Sequence, residues 1–527
     1  MSKALTKEEI RLLLAKRFEK DSFKSLSSLP SYKLFKDIKK AALRVVQAIK
    51  NKEQIAIVGD YDVDGVVSTC ILSDFLENFS DKLKIIIPNR FIDGYGVSED
   101  IIDRINSSLV ITVDNGISAV DAAKKAKEKN IDLIITDHHN IPEELPDAYA
   151  IINPKQKDCT FPYKEICGAQ VAWYLVAAIK NEMGLEFNLL RYIDLLSVAI
   201  IADMMELKEF NRAMVKRGLK EINSSKRVAW IAVKEVFRKD NFVSEDISYL
   251  LAPLLNSAGR LKSAVLALNF LKSRTLQEAI SYLNEIVLLN EKRKEIEKEL
   301  FESCVLSVDE SKDIVIAWGE GWHEGVIGIV AARVARRFKK PAIILSVKNG
   351  RAKGSARSFG EVDILSLIKE AKEYLLGFGG HKGAAGVSLE VQNLEVFKKK
   401  LEEEAAKLDR RLFTPLKEVL GEIDAREIDF ELLELLEEYE PYGQRNPKPV
   451  FKIRDAKVKK SRLLGRENSH QKLIIESKTA ILESIDFNYD KLAKNGSIVD
   501  LVFTISKNSY RGYITPQLLI EEIKLIS

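Results

Sequence analysis

Asp60, Asp62 and Asp64 stand at alternate positions in IAIVGDYDVDGVVST (55–69), directly after a short apolar run. Alternate side chains of an extended segment point the same way, so three carboxylates can converge on one spot. Left alone they would repel one another and some would keep their protons; divalent cations relieve that repulsion. A lone D-x-D is equally the mark of a solvated acidic turn, so the weight falls on its surroundings. Two more apolar runs end in the same manner: LVITVDNGIS (109–118) delivers Asp114, and DLIITDHHN (132–140) delivers Asp137, His138 and His139. The apolar helical pattern YIDLLSVAIIADMMEL (192–207) ends in Asp203.

Two-metal phosphoester hydrolysis needs cations about 3.5–4 Å apart, bridged by carboxylates, with positions open for water and a phosphate oxygen. Asp62, Asp64, Asp114, His138 and Asp203 offer that shell from four separate segments. An oxygen and nitrogen set without thiolate suits Mn2+ or Mg2+, and the imidazole favours Mn2+. His139 is then free to face the phosphate or the leaving oxygen. The expected reaction is in-line attack of water on phosphorus.

Such acids must sit where strands stop. Strands over 55–58, 84–87, 109–113 and 131–135 alternate with helical patterns over 65–79, 97–106 and 118–129, which predicts a doubly wound parallel sheet. Ligands bind at the carboxyl ends of its strands. Two helical patterns before it, around 8–19 and 32–50, are expected to pack on this first domain. LAPLLNSAGRL (251–261) reads as a loop carrying Arg260, and residues 275–305 as a long charged helix connecting two globular units. A second α/β unit opens with a strand at 314–317, and GRAKGSARSFG (350–360) and LLGFGGHKGAAGVSL (375–389) read as glycine-rich loops suited to phosphate. From about 414 short alternating strands with Lys457, Lys459, Lys460, Arg462 and Arg466 predict a small β-barrel of OB-fold type. There Tyr442, Phe451, Tyr510 and Tyr513 are either stacking faces for bases or barrel core.

The composition fits this reading. A chain of 527 residues exceeds one ordinary domain, and 46% hydrophobic with 30% charged residues is a globular balance. A net charge of +4 gives little overall pull on a polyanion, so local patches must supply it. Cys70, Cys159, Cys167 and Cys304 form no C-x-x-C pair, as expected for reduced thiols in the cytoplasm. The start has no apolar signal region and no apolar run approaches a membrane span, so no membrane partner is expected.

GDYDVDG, VDNGIS, TDHH, the Asp203 segment, NSAGRL, GWHEGVIGIVAARV, GSARSFG and GFGGHKGAAG, in this order, resemble the DHH/DHHA1 phosphoesterase superfamily and, within it, the RecJ family of single-strand-specific 5′-to-3′ DNA exonucleases. YEPYGQRNPKPVF (439–451) resembles the start of that family's OB-fold. The resemblance implies an α/β architecture with a DHH catalytic domain (51–274, padded by 1–50), a linking helix (275–305), a DHHA1 domain (306–413) and an OB-fold (414–527), arranged as a ring that single strands thread. It implies a catalytic set of Asp60, Asp62, Asp64, Asp114, His138, His139 and Asp203. Of these, Asp62, Asp64, Asp114, His138 and Asp203 would be metal ligands for two Mn2+ or Mg2+ ions. It further implies a 5′-phosphate pocket of Arg90, Ser355 and Arg357, a DNA contact at Arg260, and His381 along the substrate path. Release of 5′-mononucleotides in DNA recombination and repair follows, with single-stranded DNA as partner, a single-strand-binding protein and a RecQ-type helicase beside it, and a monomeric chain. Some members carry histidine where this chain has Val58, which implies fewer nitrogens on the first metal.

Two other readings stay open at this stage. One is a DHH–DHHA1 hydrolase of short oligonucleotides or cyclic dinucleotides, against which the barrel argues. The other is a non-catalytic single-strand-binding scaffold, against which the intact acid and histidine motifs argue.

Overall fold

The computed structural model describes residues 4–526 other than 416–417, 466–467, 479, 488, 490 and 511–512, and only the backbone of 509, 510 and 513. The elements in chain order are α1 (Lys7–Lys16), α2 (Ile38–Lys50), β1 (Ile55–Val58), α3 (Val63–Leu76), β2 (Leu83–Ile86), α4 (Glu99–Asp103), β3 (Leu109–Val113), α5 (Val120–Glu128), β4 (Asp132–Thr136), β5 (Ala150–Ile152), α6 (Gly168–Glu182), α7 (Ile193–Ala202), α8 (Glu209–Ser224) and α9 (Val228–Phe237). A short α10 (Ser244–Asp246) runs through a π-helical turn (Ile247–Leu251) into α11 (Ala252–Leu261), followed by α12 (Val265–Lys272) and the long α13 (Leu276–Leu306).

The first sheet is all parallel in the order β2-β1-β3-β4-β5. Strands β1 and β5 are apolar at every position and β3 at all but Thr112, because both faces of the sheet's centre are covered, whereas β2 at the edge is half-buried and admits Lys84. Ile55, Ile57, Leu109, Ile111 and Ile134 join the core under α2, α3, α6 and α7, while Ala56, Val58, Val110 and Ile135 join the core under α4 and α5. The strand order reverses between β1 and β3, so the crevice at their carboxyl ends opens beside Asp60 and Asp114. The edge strand β5 is an addition to the strands read from sequence; three residues are too short to show periodicity.

Helix α13 carries Ala279, Leu283 and Ile286 into the first core and Leu300 and Cys304 into a core of the second α/β unit. That unit contains β6 (Val315–Glu320), α14 (Ile327–Phe338), β7 (Ala342–Lys348), β8 (Arg351–Arg357), α15 (Ile364–Lys369), β9 (Gly377–His381), β10 (Ala384–Glu390) and α16 (Leu394–Ala405), with sheet order β6-β7-β8-β10-β9. Both segments read as glycine-rich loops are therefore largely strands. At Gly354 a Cβ would sit 2.8 Å from the Leu345 and Val387 side chains, so glycine there admits its strand neighbours.

The C-terminal unit comprises β11 (Val419–Glu422), α17 (Phe430–Glu438), β12 (Val450–Leu464), β13 (His470–Ser477), β14 (Ala480–Phe487), β15 (Ile498–Tyr510) and β16 (Tyr513–Leu525). Five strands close through β12-β13-β14-β16-β15 and back to β12, the closed barrel expected of an OB-fold. Phe451 is wholly buried in its core and Tyr442 is buried with its hydroxyl on Leu436 O, so neither offers a stacking face on the barrel. Lys457, Lys459, Lys460 and Arg462 are exposed; Arg466 and the side chains of Tyr510 and Tyr513 lie outside the described residues.

One expectation is corrected at the N-terminus. Only α2 packs on the first sheet; α1 belongs to the C-terminal unit. Its apolar pair Ile10 and Leu14 has no exposed surface and joins Leu432, Leu436, Phe451 and Phe503 in one core. Leu5 N donates to Glu422 O, Lys7 reaches Asp429 and Glu431, and Arg11 reaches Glu438. The amphipathic pattern of α1 shows that one face is buried without naming its partner. Leu14→Ala is expected to cost about 2–5 kcal/mol, the range for a buried leucine, in the C-terminal unit alone. Hydrogen exchange resolved by segment checks this: weakened protection in β1, β3 and β4 instead would contradict the packing.

Candidate metal centre

The carboxyl ends of β1, β3 and β4 bring their polar residues together with the end of α7. Asp62 caps α3, accepting from Gly65 N at 3.0 Å. A Cβ on Gly65 would meet Asp60 O at 2.6 Å, so the turn into α3 tolerates no side chain there. Asp64 is buried in the first turn of α3 and receives Gly168 N and Ala169 N at 2.6 and 2.8 Å. The N-terminus of α6 thus points at a carboxylate, as its dipole favours. Asp114 adopts the left-handed region at φ 62°, an uncommon conformation for a non-glycine residue. Beside it Asn115 is fully buried and ties the crevice, donating to Val58 O and Val113 O and accepting from Val97 N.

His138 Nε2 lies 3.3 Å from Asp114 Oδ1, 3.4 Å from Asp203 Oδ2 and 3.8 Å from Asp64 Oδ2. Donor atoms of Asp60, Asp62 and Asp114 lie within 4.8 Å of one another, as do those of Asp64, His138 and Asp203, and those of Asp114, His138 and His139. Asp114 belongs to two of these groups, which suits a carboxylate shared between adjacent cations, while His138, with one lone pair to give, suits a single cation. Burial, then the surrounding carboxylates, holds Asp60, Asp114 and Asp203 well above the usual carboxylate range, and burial with the Asp62 charge pushes Asp64 up to about 6. His138 is pushed down to about 3 by burial, then by His139, so its ring is neutral with a lone pair to give.

Buried Asp60 Oδ1, Asp114 Oδ1, His138 Nε2 and Asp203 Oδ2 have no hydrogen-bond partner among the described residues. Four orphaned atoms facing one volume are costly unless something binds them. Hard oxygen and imidazole donors fit Mn2+ or Mg2+. The nearest thiol, Cys167, is held protonated by burial and then by Asp64, so it remains a donor and not a ligand.

Asp137, to which the sequence motifs assign no role, organises the histidines. Its carboxylate accepts from Ile117 N, His138 N and His139 N and lies 2.7 Å from His139 Nδ1. Although burial opposes a charge on His139, the Asp137 bond lifts it to about 9. Its Nε2 lies 3.4 Å from the hydroxyl of Tyr95, a second residue the motifs do not single out. The TDHH string does present Asp137; Tyr95 sits in an irregular loop that gives no signal.

Cations face this cluster. Arg90 stacks over the Tyr61 ring at 4.2 Å. Arg260 is on a helix, not a loop: α11 runs past the Asp60–Asp62 turn so closely that a Cβ on Gly259 would meet Tyr61 O at 2.4 Å. Its guanidinium donates to Gly325 O at 3.0 Å, and burial followed by the charges of Arg90, Arg293 and Arg357 lowers it to about 10. Arg357 holds Ser355 Oγ at 2.9 Å, and both crowd Gly328 at the start of α14. Arg293, on the connecting helix, is a member of this group that charge periodicity alone does not mark. His381 stands apart, exposed on β9 and two strands from Arg357 across Ala384, about 10 Å at the usual strand spacing.

A parallel sheet presenting aspartates and paired histidines at its switch point, linked by a helix to a second unit that supplies arginines, is the architecture of a DHH phosphoesterase. The chain matches the DHH family, N-terminal domain, over residues 54–200, the DHHA1 domain over 311–407 and the RecJ OB domain over 421–522. It is 34% identical over 504 residues to the single-stranded-DNA-specific exonuclease RecJ of Bacillus subtilis, covering 92% of this chain and 63% of that protein. With the protein of that name from Dickeya dadantii it shares 32% identity over 541 residues, covering 95% and 92% of the two chains. The structure is similar to RecJ of Thermus thermophilus in complex with Mn2+ (TM-score 0.82, 26% identity, 98% of this chain and 75% of that one) and in complex with Mg2+ (TM-score 0.77, 26% identity, 98% and 74%). The chain belongs to the RecJ family.

Two outcomes follow from the geometry. In Gly168→Ala the new Cβ would lie 2.3 Å from Asp114 Oδ1; Mn2+ affinity is expected to fall about 10–100-fold, as for lost ligand support, measured by titration calorimetry. Because Asp64 must shed its proton to bind a cation and does so near pH 6, affinity should weaken as pH drops through about 6. Calorimetry at about pH 5 and about pH 7.5 giving equal affinities would contradict that.

Proposed function

We propose that the chain is a metal-dependent exonuclease specific for single-stranded DNA, running 5′-to-3′ and releasing 5′-mononucleotides by two-metal hydrolysis. The observation that carries this reading is the set of guanidiniums, Arg90, Arg260, Arg293 and Arg357, gathered opposite the acid cluster from both α/β units. A carboxylate cluster alone fits any metal-dependent phosphoesterase; the arginines give it a polyanionic substrate with a held end.

In this reading Asp62, Asp64, Asp114, His138 and Asp203 hold the cations, and Asp60 completes the acid wall. Two divalent cations held there would supply the activation of water and the neutralisation of charge on the scissile phosphate. The chain's own groups do the rest. Asp137 fixes the His139 ring, whose Nε2–H then donates to an oxygen of the scissile phosphate as charge builds on it. Arg90, Ser355 and Arg357 take the terminal 5′-phosphate, where planar guanidiniums give paired hydrogen bonds. Fixing that end sets how far along the strand the cut falls. Arg260 holds the backbone at the turn towards the cations, and His381 lines the path further out. The exposed row Lys457, Lys459, Lys460 and Arg462 offers the barrel a salt-dependent grip on longer strands.

Recombination and repair, with a single-strand-binding protein and a RecQ-type helicase supplying substrate to a monomer, is the setting this activity suits. Four free, buried cysteines match a reducing cytoplasm, and no described helix is long and apolar enough to cross a membrane.

Digestion of 5′-labelled, 3′-labelled and circular single strands and blunt duplex with Mn2+ or EDTA tests the reading. Metal-dependent release of mononucleotides from the 5′ end, sparing circles and duplex, is expected; cleavage confined to di- or trinucleotides would move the chain to the short-oligonucleotide hydrolases. Arg357→Ala should reduce the preference for 5′-phosphorylated over 5′-hydroxyl ends at least about tenfold, the worth of one charge-assisted contact. An unchanged preference would place the end pocket elsewhere.

A further inference from the structure

At the other end of α3 from Asp62 and Asp64 lies a cleft of about 510 Å³, floored by Cys70 and Asp74 and walled by the starts of α7 and α9 and the end of α12. Its acids are already engaged. Asp194 accepts from Arg227 Nε at 2.6 Å and Trp230 Nε1 at 2.8 Å, Asp74 accepts from the Tyr192 hydroxyl at 2.6 Å, and Glu221 pairs with Arg217 at 2.5 Å. Of its cations, Arg227 is held by Asp194 and Lys272 by Glu77, whereas the side chains of Lys226 and Arg274 line the cleft, are exposed, and have no acidic partner among the described residues; Arg191 meets Asp74 at 3.9 Å. Helix α9, ten residues long, opens into the cleft at Val228 with no side chain capping its N-terminus, which adds unpaired N–H groups to the same positive field.

We infer that this cleft is a second ligand site, separate from the metal centre, that binds a phosphorylated molecule of mononucleotide size. The volume lies within the roughly 300–1,000 Å³ of small-molecule sites, and two uncommitted cations, Lys226 and Arg274, with a helix N-terminus select a phosphate over a neutral ligand. Its position gives occupancy a route to the chemistry. Helix α3 runs from the cleft to Asp64, and α7 runs from Asp194 in the cleft to Asp203 at the metal centre. Two sources share this ligand chemistry: the deoxynucleoside monophosphate that exonuclease action would release, and ordinary cellular nucleotides.

Isothermal titration of deoxyadenosine 5′-monophosphate, and separately of ATP, into the Mn2+-loaded full chain tests the site. Each ligand that uses the cleft is expected to give a binding event beyond that at the metal centre. The double variant Lys226→Ala/Arg274→Ala should weaken that event at least about tenfold, the worth of lost charge-assisted bonds, and leave Mn2+ affinity unchanged. Loss confined to the monophosphate assigns the cleft to product, and loss confined to ATP assigns it to a cellular nucleotide. Isotherms identical in wild type and double variant for both ligands would overturn the inference, whatever the result of the DNA digestion.

Discussion

The repulsion among carboxylates packed into one buried volume is the constraint on which this structure turns. At an effective dielectric of about 20, two unit charges about 4 Å apart cost about 4 kcal/mol, and ligand atoms of Asp60, Asp62 and Asp114 lie within 4.8 Å of one another, as do those of Asp64 and Asp203. Local strain and close approach are spent on holding them there. Asp114 sits at positive φ, Gly65 and Gly168 leave no room for a Cβ, and α6 directs its first N–H groups at Asp64. A scaffold that concentrates like charge without pairing it is poised for a cation.

Across the crevice the opposite charge is concentrated in the same fashion, and from a different source. The acids come from one domain, whereas the arginines come from that domain, the connecting helix and the second α/β unit. Their spacing is therefore a matter of how the units dock, through the Arg260 bond to Gly325 O and the edge contact of Phe91 with His323 at 5.4 Å. The acid cluster is preorganised by local backbone; the cationic rim is preorganised by domain placement.

This difference decides what could be read from the sequence. Each acid follows directly on a strand or helix whose apolar pattern is plain, so Asp60, Asp62, Asp64, Asp114, His138 and Asp203 were legible, and so was the parallel sheet. The glycine-rich stretches misled, because glycine serves a crowded strand as readily as a loop: Gly354 makes room between strands and Gly259 admits the Tyr61 backbone to a helix. Arg293 was hidden in a helix full of charges, where its i,i+4 pair with Glu297 looked like ordinary surface support. Tyr442 and Phe451 divided between two uses of an aromatic ring until the barrel's closure placed Phe451 inside and the end of α17 covered Tyr442. The partner of α1 was beyond any local pattern, since amphipathicity names a face and not its neighbour.

That last contact bears on how the chain is made. Lys7 and Asp429 are 422 residues apart, yet α1 supplies two of the most buried side chains in the C-terminal core. At roughly 5–20 residues added per second, α1 waits tens of seconds after its own synthesis before the unit it completes exists. During that interval Ile10 and Leu14 lack the C-terminal core that covers them in the folded chain. Closure of that core is therefore a late event, which needs the strands through β16 as well as α1.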